Sequence, residues 1–302
     1  MGVITTGSTP KLLWPGLNRI WGLAYEAHKS EWKNCFSINN SDKSYEEDAS
    51  LTGMGLAPRK PEGDAFYVDT MKQAFTTRYQ NLAYALGFEI TREEIEDNQY
   101  AEFGAQRAKN LAFSMNQTKE NVAANIFNRA FTAAYAGGDG VSLIDASHPV
   151  EGGVLSNELA VAADLSEASL EDALIAISNF RDNRNNHINI MGDKLLVPPQ
   201  LMFDATRILR NPERPDTSDR DINAIYTLGL IPGGIVVNHY LTDIDAWFVL
   251  TNCPVGLKYF ERDAPRFESN NDPYTFNGIF SGYERYSFGW SDWRGIFGSA
   301  GA

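Results

Sequence analysis

The amino-acid sequence predicts an α+β fold in which one long helix lies beside long strands and a smaller α/β domain. Three patterns indicate this class: helical composition over about 91–135, alternating helix and strand patterns over about 160–250, and two aromatic-rich strands after residue 256. A helix of some forty residues would span roughly 65 Å, about twice the width of a compact domain. The sequence therefore predicts an elongated molecule.

The first forty residues are aromatic, but prolines and a glycine interrupt them. The aromatic residues are Trp14, Trp21, Tyr25, Trp32 and Phe36, and the interruptions are Pro10, Pro15 and Gly16. This segment is too apolar for a free tail and too irregular for a regular core element. We predict an arm that packs against another surface, with a neighbouring chain as one option.

Residues 41–72 predict a long β-hairpin with a polar tip. The two strands are expected around 44–52 and 64–71, and the tip contains Gly53, Gly55, Pro58, Pro61 and Gly63. A two-stranded hairpin of this length is marginally stable by itself. We therefore expect it to lie on another surface.

The long helix has recognisable ends and one apolar stripe. Thr91 with Glu94 forms a capping-box pattern, and Gly137 with Gly138 ends the helical composition. The stripe is expected to contain Phe103, Leu111, Met115, Val122, Ile126 and Ala130.

The middle of the chain alternates between helix and strand. Ser166 is expected to begin a helix with Leu170, Leu174 and Ile177 on its buried face, and residues 194–198 form a buried strand. A second helix begins near Pro199, with Leu201, Met202, Ala205, Ile208 and Leu209 as its apolar face. A charged, exposed loop is expected at 211–221, and a short turn joins strands at 233–241 and 246–252. The two strands after residue 256 are expected to pair as a hairpin on the long helix.

Composition excludes several classes of protein. The formal net charge of −13 disfavours broad binding to nucleic-acid phosphates. Cys35 and Cys253 are too few for a disulfide framework or a zinc knuckle. The N-terminus does not resemble a signal peptide, and no window approaches the length of apolar sequence that crosses a membrane. We expect a soluble protein.

The stretch DGVSLIDASHPV, residues 139–150, raises the question of a hydrolase, because Ser147, His148 and Asp145 are close in sequence. A nucleophilic serine usually lies on a tight G-x-S-x-G turn, which this stretch lacks, and adjacent side chains diverge. Asp243 and Asp245 suit a turn as well as a cation. Phosphate-binding glycine motifs are absent from the sequence. We predict no enzymatic activity, no metal and no cofactor.

Three motifs carry a resemblance to a known family. They are DGVSLIDASHP at 139–149, KLLVPPQLMFDATRIL at 194–209, and YLTDIDAWFVLTN at 240–252 with ERYSFGWSDWRGIFG at 284–298. With the order of the elements, they resemble the major capsid protein of tailed bacteriophages, which has the Hong Kong 97-type fold, and most closely the Mu-type major head subunit. The first motif looks like that family's D-G-x-x-L-x-x-x-x-H segment.

The resemblance implies an arrangement of five parts. They are an N-terminal arm at 1–40, an extended loop at 41–75, a peripheral domain at 76–159 with the spine helix at about 91–135, an axial domain at 160–250, and return strands of the peripheral domain at 251–302. It also implies structural roles for Ser147 and His148.

By resemblance, copies of the chain form hexamers and pentamers of an icosahedral shell around double-stranded DNA. The implied partners are the chain itself, scaffolding and portal proteins and a decoration protein, without sequence-specific DNA binding or a membrane. The implied location is the virion capsid, assembled in the host cytoplasm. Candidate intersubunit contacts are Trp14, Trp21, Arg59, Lys60, Arg214 and Arg220. The long acidic helical leader of some members does not precede the arm here, so we expect either a separate scaffolding protein or a leader outside this sequence. We expect no covalent crosslinks.

Two alternatives remain open at this stage. An encapsulin-like nanocompartment shares the fold and encloses enzymes instead of a genome, so the enclosed material separates it from a phage head. A cryptic hydrolase would require that Ser147→Ala abolish a measured activity.

Overall fold

The computed structural model describes residues 14–91, 93–94, 100–213, 222–272, 274–275 and 277–302. The helices are α1 Trp14–Glu26, α2 Tyr100–Asn128, α3 Glu167–Ser178, α4 Met202–Arg210 and α5 Ala224–Leu228. The strands are β1 Ser37–Asn40, β2 Tyr45–Leu51, β3 Gln73–Gln80, β4 Leu82–Ile90, β5 His148–Val150, β6 Gly153–Leu155, β7 Gly192–Val197, β8 Gly234–Val237, β9 Trp247–Thr251, β10 Leu257–Asn271, β11 Gly278–Trp290 and β12 Ile296–Ser299. The mixture of helices and sheets confirms the predicted α+β class.

The first sheet has the order β1-β10-β11-β4. β10 and β11 pair as the long antiparallel hairpin that the sequence predicts, and β4 pairs antiparallel to β11. This sheet packs on α2, where Leu111 and Met115 share an apolar cluster with Phe267 and Phe280. The predicted contact between the C-terminal hairpin and the long helix is therefore confirmed.

The second sheet has the order β12-β9-β7-β8, with β7 and β8 parallel. The predicted strands at 233–241 and 246–252 are present in shorter form, but they do not pair with each other, because β7 lies between β8 and β9. The chain after the C-terminal hairpin also differs from the expectation for 251–302. Residues Ile296–Ser299 leave the first sheet and pair with β9 in the second.

The helix α2 is shorter than the predicted 91–135. It ends at Asn128, and Thr132 already has extended backbone angles. The N–H of Ile144 donates to the carbonyl of Ala130 at 2.9 Å. Another helical turn would use this carbonyl as an acceptor, and the loop that follows the helix takes its place as the donor. At 29 residues the helix is about 43 Å long.

Two details of this helical region differ from the sequence pattern. The Thr91 hydroxyl accepts from the Glu94 N–H at 3.3 Å, which is half of the predicted capping box, but the Glu94 carboxylate pairs with Arg107 at 3.0 Å. Phe103, which the stripe included, is exposed. Leu111, Met115 and Ala130 of the predicted stripe are buried as expected, and Ala108, Ala112, Ala123 and Phe127 are buried as well.

The arm packs on its own subunit. Trp21 is 4% exposed and stacks on Phe267 at 5.8 Å between ring centroids, and Leu17 is buried in the same apolar cluster. Trp32 lies 4.4 Å from the ring of Tyr259. The arm therefore covers the first sheet and α2 of the chain it belongs to.

A buried ion pair lies under α1. Lys119 Nζ is 2.5 Å from Glu284 Oε2, and the Tyr25 hydroxyl donates to the same oxygen at 2.9 Å. Both charged side chains are almost completely buried, with 6% and 0% of their surfaces exposed. The cluster therefore joins three elements, namely α1, α2 and β11.

The second sheet separates two apolar clusters. Leu195 and Val249 face the cluster made with α3 and α4, while Leu196 and Phe248 face the cluster made with α2 and the arm. The capping box at Ser166 and Ser169 begins α3 as expected, and Leu170, Leu174 and Ile177 are buried as predicted. In the part of the chain that the structure describes, no helix is long and apolar enough to cross a membrane.

Both thiols lie among packed side chains. Burial raises the pKa of Cys35 to about 12 and that of Cys253 to about 11. Because the thiolate is the reactive form, a disulfide-exchange reagent at pH 8 is expected to modify both thiols far more slowly in the folded protein than in denaturant. Release of the reagent's chromophore measures this, and immediate release of two equivalents from the folded protein would contradict the packing described here.

Candidate assembly surface

The ring of His148 is held on both sides within the stretch 139–150. Its Nδ1 lies 2.7 Å from Asp139 Oδ2, its Nε2 lies 3.1 Å from Asn157 Oδ1, and the ring is fully buried. It stacks on Trp293 at 4.5 Å and an interplanar angle of 9°. The stretch is therefore pinned to the turn that precedes β12.

The amide of Asn157 determines which atoms donate. Its nitrogen points at three carbonyls, those of Leu143, Trp293 and Ile296, and its oxygen accepts the N–H of Asp145 at 2.9 Å. The amide cannot be reversed without losing these bonds, so His148 Nε2 must be the donor toward Asn157. The Asp139 carboxylate lies against the other ring nitrogen, so both nitrogens of the imidazole have hydrogen-bond partners.

Ser147 takes no part in this network. Its hydroxyl is exposed and donates to Asp145 Oδ1 at 2.6 Å. The hydroxyl of Ser147, with that of Ser142, holds the pKa of Asp145 below its usual range. Since both nitrogens of His148 are engaged elsewhere, the histidine cannot act as the base for this serine, and the geometry needed for nucleophilic catalysis is not assembled at this stretch.

Two substitutions test this description. Ser147→Ala removes one exposed hydrogen bond and is expected to change the free energy of unfolding by less than about 0.5 kcal/mol. Asn157→Ala leaves buried donors and acceptors unpaired and is expected to cost about 2–4 kcal/mol. Urea unfolding measures both, and equal costs for the two variants would show that the network does not stabilise this part of the fold.

The aspartates at 243 and 245 form a turn. The N–H of Asp245 donates to Asp243 Oδ1 at 3.1 Å, as in an Asx turn. Among the residues that the structure describes, no group of three or more histidine, cysteine, aspartate or glutamate side chains is arranged to hold a metal ion.

The segment 52–72, which we call the tip loop, carries six exposed large apolar side chains. The predicted second strand at 64–71 is not formed there: β2 pairs instead with β3, which begins at Gln73. Positive φ angles at Gly53 and Gly63 turn the backbone away from the ladder. The exposed large side chains of the tip loop are Met54, Leu56, Phe66, Tyr67, Val68 and Met71.

The base of the tip loop is attached to the first sheet. Asp48 on β2 pairs with Lys258 on β10 and accepts from the Ser291 hydroxyl, and Tyr79 on β3 lies 2.5 Å from the same Ser291 oxygen. Burial of Asp48 opposes its ionisation, but the hydrogen bonds from Lys258 and Ser291 have the larger combined effect. They hold the pKa of Asp48 below its usual range. The hairpin therefore leaves the body of the subunit in a fixed direction.

A second attachment holds the far side of the tip loop. Asp69 accepts hydrogen bonds from the N–H of Gly55 at 2.7 Å and of Thr70 at 2.8 Å, and Arg184 Nη1 lies 2.6 Å from its Oδ2. The two backbone bonds, with Arg184, hold the pKa of Asp69 below its usual range. Arg184 also donates to the carbonyl of Thr70. The turn that follows α3 thus anchors the loop.

The structure separates the predicted contact residues into three groups. Arg59 and Lys60 are exposed in the tip loop. Trp21 is buried in its own subunit and offers little surface to a neighbour. The side chain of Trp14 and residues Arg214 and Arg220 lie outside the described residues.

The sequence patterns missed two features of this surface. The sequence pattern predicts a strand at Phe66, Tyr67 and Val68 and does not predict their exposure. Three consecutive large apolar residues between polar ones are the feature of the sequence that could have indicated an exposed apolar surface. The pairing of Asp69 with Arg184 joins residues 115 positions apart, and no local pattern indicates such a pair.

One comparison with known proteins shows the family of the chain. A family profile described as phage capsid protein matches residues 74–299, about three quarters of the chain. No match was found among curated proteins.

Solved structures share the whole fold at low sequence identity. A virus-like particle from Pyrococcus furiosus is 12% identical, with 94% of this chain and 98% of that chain aligned at a TM-score of 0.57. The procapsid of bacteriophage JBD30 is 15% identical, with 98% and 76% aligned at a TM-score of 0.55. The capsid of a native GTA particle is 12% identical, with 98% and 91% aligned at 0.52. At such identities the likeness concerns the fold alone.

Proposed function

The chain belongs to the phage capsid protein family and is a major capsid protein with the Hong Kong 97-type fold, and from this premise we propose that its copies form hexamers and pentamers that close an icosahedral shell around double-stranded DNA. As a shell subunit it is a structural protein of the virion. A role without catalysis is part of the proposal. The particular likeness to the Mu-type head subunit remains a prediction.

The observation that carries the proposal is the exposed tip loop. A monomer that stays alone in solution rarely presents a contiguous run of large apolar side chains, and here the run sits on a loop fixed at both sides. Such a loop suits contact with a neighbouring copy. When each subunit holds several neighbours in this way, modest individual contacts sum to a stable shell.

The division of the chain follows from the same proposal. Residues 1–40 act as the arm, 41–75 as the extended loop, 76–159 and 251–302 as the peripheral domain, and 160–250 as the axial domain. The strand β12, near the C-terminus, pairs with β9 and so adds to the sheet of the axial domain. Arg214 and Arg220 would lie near the centre of each capsomer, and Trp14 in the arm. These assignments are expectations of the family fold.

The partners of the shell are proposed from the charge of the chain and from its family. A formal net charge of −13 suits a wall that contains tightly packed DNA without adhering to it. Scaffolding, portal and decoration proteins complete the proposed set, with assembly in the host cytoplasm. The encapsulin-like alternative differs in its contents, which would be an enzyme instead of a genome.

Electron microscopy of the purified protein, with light scattering for mass, tests the proposal. We expect closed shells, or rings of five and six subunits. Double-stranded DNA inside particles recovered from the producing host would support the phage head, and a protein cargo would support the nanocompartment. A monomer at every concentration and salt tested, also in the presence of the other head proteins, would contradict the proposed assembly.

Arg59 and Lys60 are proposed to pair with carboxylates of a neighbouring subunit. The double variant Arg59→Glu/Lys60→Glu is expected to raise the protein concentration at which shells form, by about tenfold if each pair is worth somewhat under 1 kcal/mol. Lys29→Glu/Lys109→Glu changes the net charge equally at exposed positions of the arm and α2 and serves as the control. Light scattering against concentration measures both, and equal shifts would remove these two residues from the interface.

A further inference from the structure

Phe66, Tyr67 and Val68 form the most unusual part of the tip loop. Their side chains are 74%, 69% and 71% exposed, so both faces of the segment are in contact with solvent. Aromatic and β-branched residues are the residue types that strands favour. The segment nevertheless pairs with no strand in the described part of its own chain. The segment therefore has the composition of a strand but no pairing partner within the described residues of its own chain.

A sheet edge on the same molecule lacks a strand. β4 is nine residues long and stands at the end of the order β1-β10-β11-β4, so within the described residues it pairs with β11 alone. Leu82 and Leu86 on this strand are 50% and 49% exposed. Long apolar edges that remain open promote association between chains.

The two faces of β4 differ in a way that suits this segment. Leu82 and Leu86 point to one face, and the small residues Ala83, Ala85 and Gly87 alternate with them on the other. Phe66 and Val68 would likewise share one face of an added strand, with Tyr67 on the other. The apolar pair would cover the leucines, and the tyrosine ring would lie over the small residues.

The segment does not reach this edge within its own subunit. β3, which spans roughly 26 Å, separates the tip loop from β4. β4 then continues away along β11, from Leu82 opposite Tyr286 to Ile90 opposite Gly278. Meanwhile Arg184 holds Asp69, directly after the segment, against the turn that follows α3. The strand that completes the edge must therefore come from another copy.

We propose that residues 65–69 of one subunit add as a strand to the free edge of β4 in the next subunit. The main chain of the segment would form the hydrogen bonds to β4. Its alternating side chains would determine the register of the pairing. This inference rests on the proposed function and specifies which surfaces meet in the shell.

Cysteine pairs test the contact in assembled particles. Phe66→Cys or Val68→Cys is combined with Leu82→Cys or Leu86→Cys, giving four double variants, because cross-strand neighbours lie within disulfide distance. Mild oxidation of shells is expected to give a ladder of covalent oligomers on a non-reducing gel in at least one pair. The matched control joins Leu56→Cys to Leu86→Cys, since Leu56 is an exposed apolar residue of the same loop outside the segment.

Hydrogen exchange of the unaltered protein provides a second measurement. Among residues 83–89, the amides that point away from β11 are expected to exchange at least tenfold more slowly in shells than in unassembled subunits. Shells that form normally, but show neither a ladder in the four variants nor slower exchange, would overturn this inference and leave the proposed function intact. A control pair that links as efficiently as the four would also overturn it. Failure of the unaltered protein to assemble at all would overturn both.

Discussion

Removal of residues 53–63 is expected to leave a folded subunit that forms no stable shells. The deleted residues are exposed, and the ladder between β2 and β3 that supports the loop remains, as do the bonds of Asp48 to Lys258 and Ser291. Thr52 and Lys72 already meet through a backbone hydrogen bond at 2.9 Å, so the shortened loop can close. What is lost is Arg59, Lys60 and the reach of the tip loop.

Two measurements separate assembly from folding in this variant. The circular dichroism spectrum should be unchanged and the melting temperature should move by only a few degrees, while light scattering shows no particles. Replacement of the same eleven positions by glycine and serine serves as the control, because it keeps the length and removes the side chains. Normal, stable shells from the deletion variant would show that the tip loop is not an assembly element.

Lys119→Met is expected to produce the largest loss of stability of any single substitution discussed here, about 3–5 kcal/mol. It removes the cation of a buried pair and leaves the Glu284 carboxylate without its partner, in contact with Tyr25 and close enough to Tyr259 and Tyr286 to interact electrostatically with both. Lys109→Met, at an exposed position of the same helix, is the matched control and should change stability by less than about 0.5 kcal/mol.

The pH dependence of this loss identifies its cause. Burial raises the pKa of Glu284, even though Lys119 and Tyr25 oppose it, and without Lys119 the shift grows. A carboxyl whose pKa is higher in the folded state than in the unfolded state takes up a proton on folding, so its contribution is present at low pH and is lost as pH rises. The cost of Lys119→Met should therefore be larger at pH 8 than at pH 5. Unfolding in urea at both values measures it, and an equal cost at both would indicate lost packing instead of an unpaired charge.

The elements that the sequence predicted well are those determined by local chemistry. Ser166 and Ser169 cap α3 within one turn, and the polar turn after Asn271 joins two strands whose alternation is clear. In each case the residues that decide the structure lie within a few positions of one another.

The expectations that failed depend on contacts distant in sequence. Residues 64–71 have strand composition, but Arg184 and the glycines of the loop keep them out of the ladder, and β3 takes their place. The strands β8 and β9 are separated by β7, which arrives from forty residues earlier in the chain. The burial of Trp21 in its own subunit likewise depends on a residue distant in sequence, its stacking partner Phe267.

The second sheet has a consequence for how the subunit melts. Since alternate residues of β7 and β9 belong to different apolar clusters, neither strand can leave one cluster without opening the other. The clusters on the two faces of this sheet are therefore expected to unfold as a single cooperative unit. In calorimetry such a unit absorbs heat in one transition.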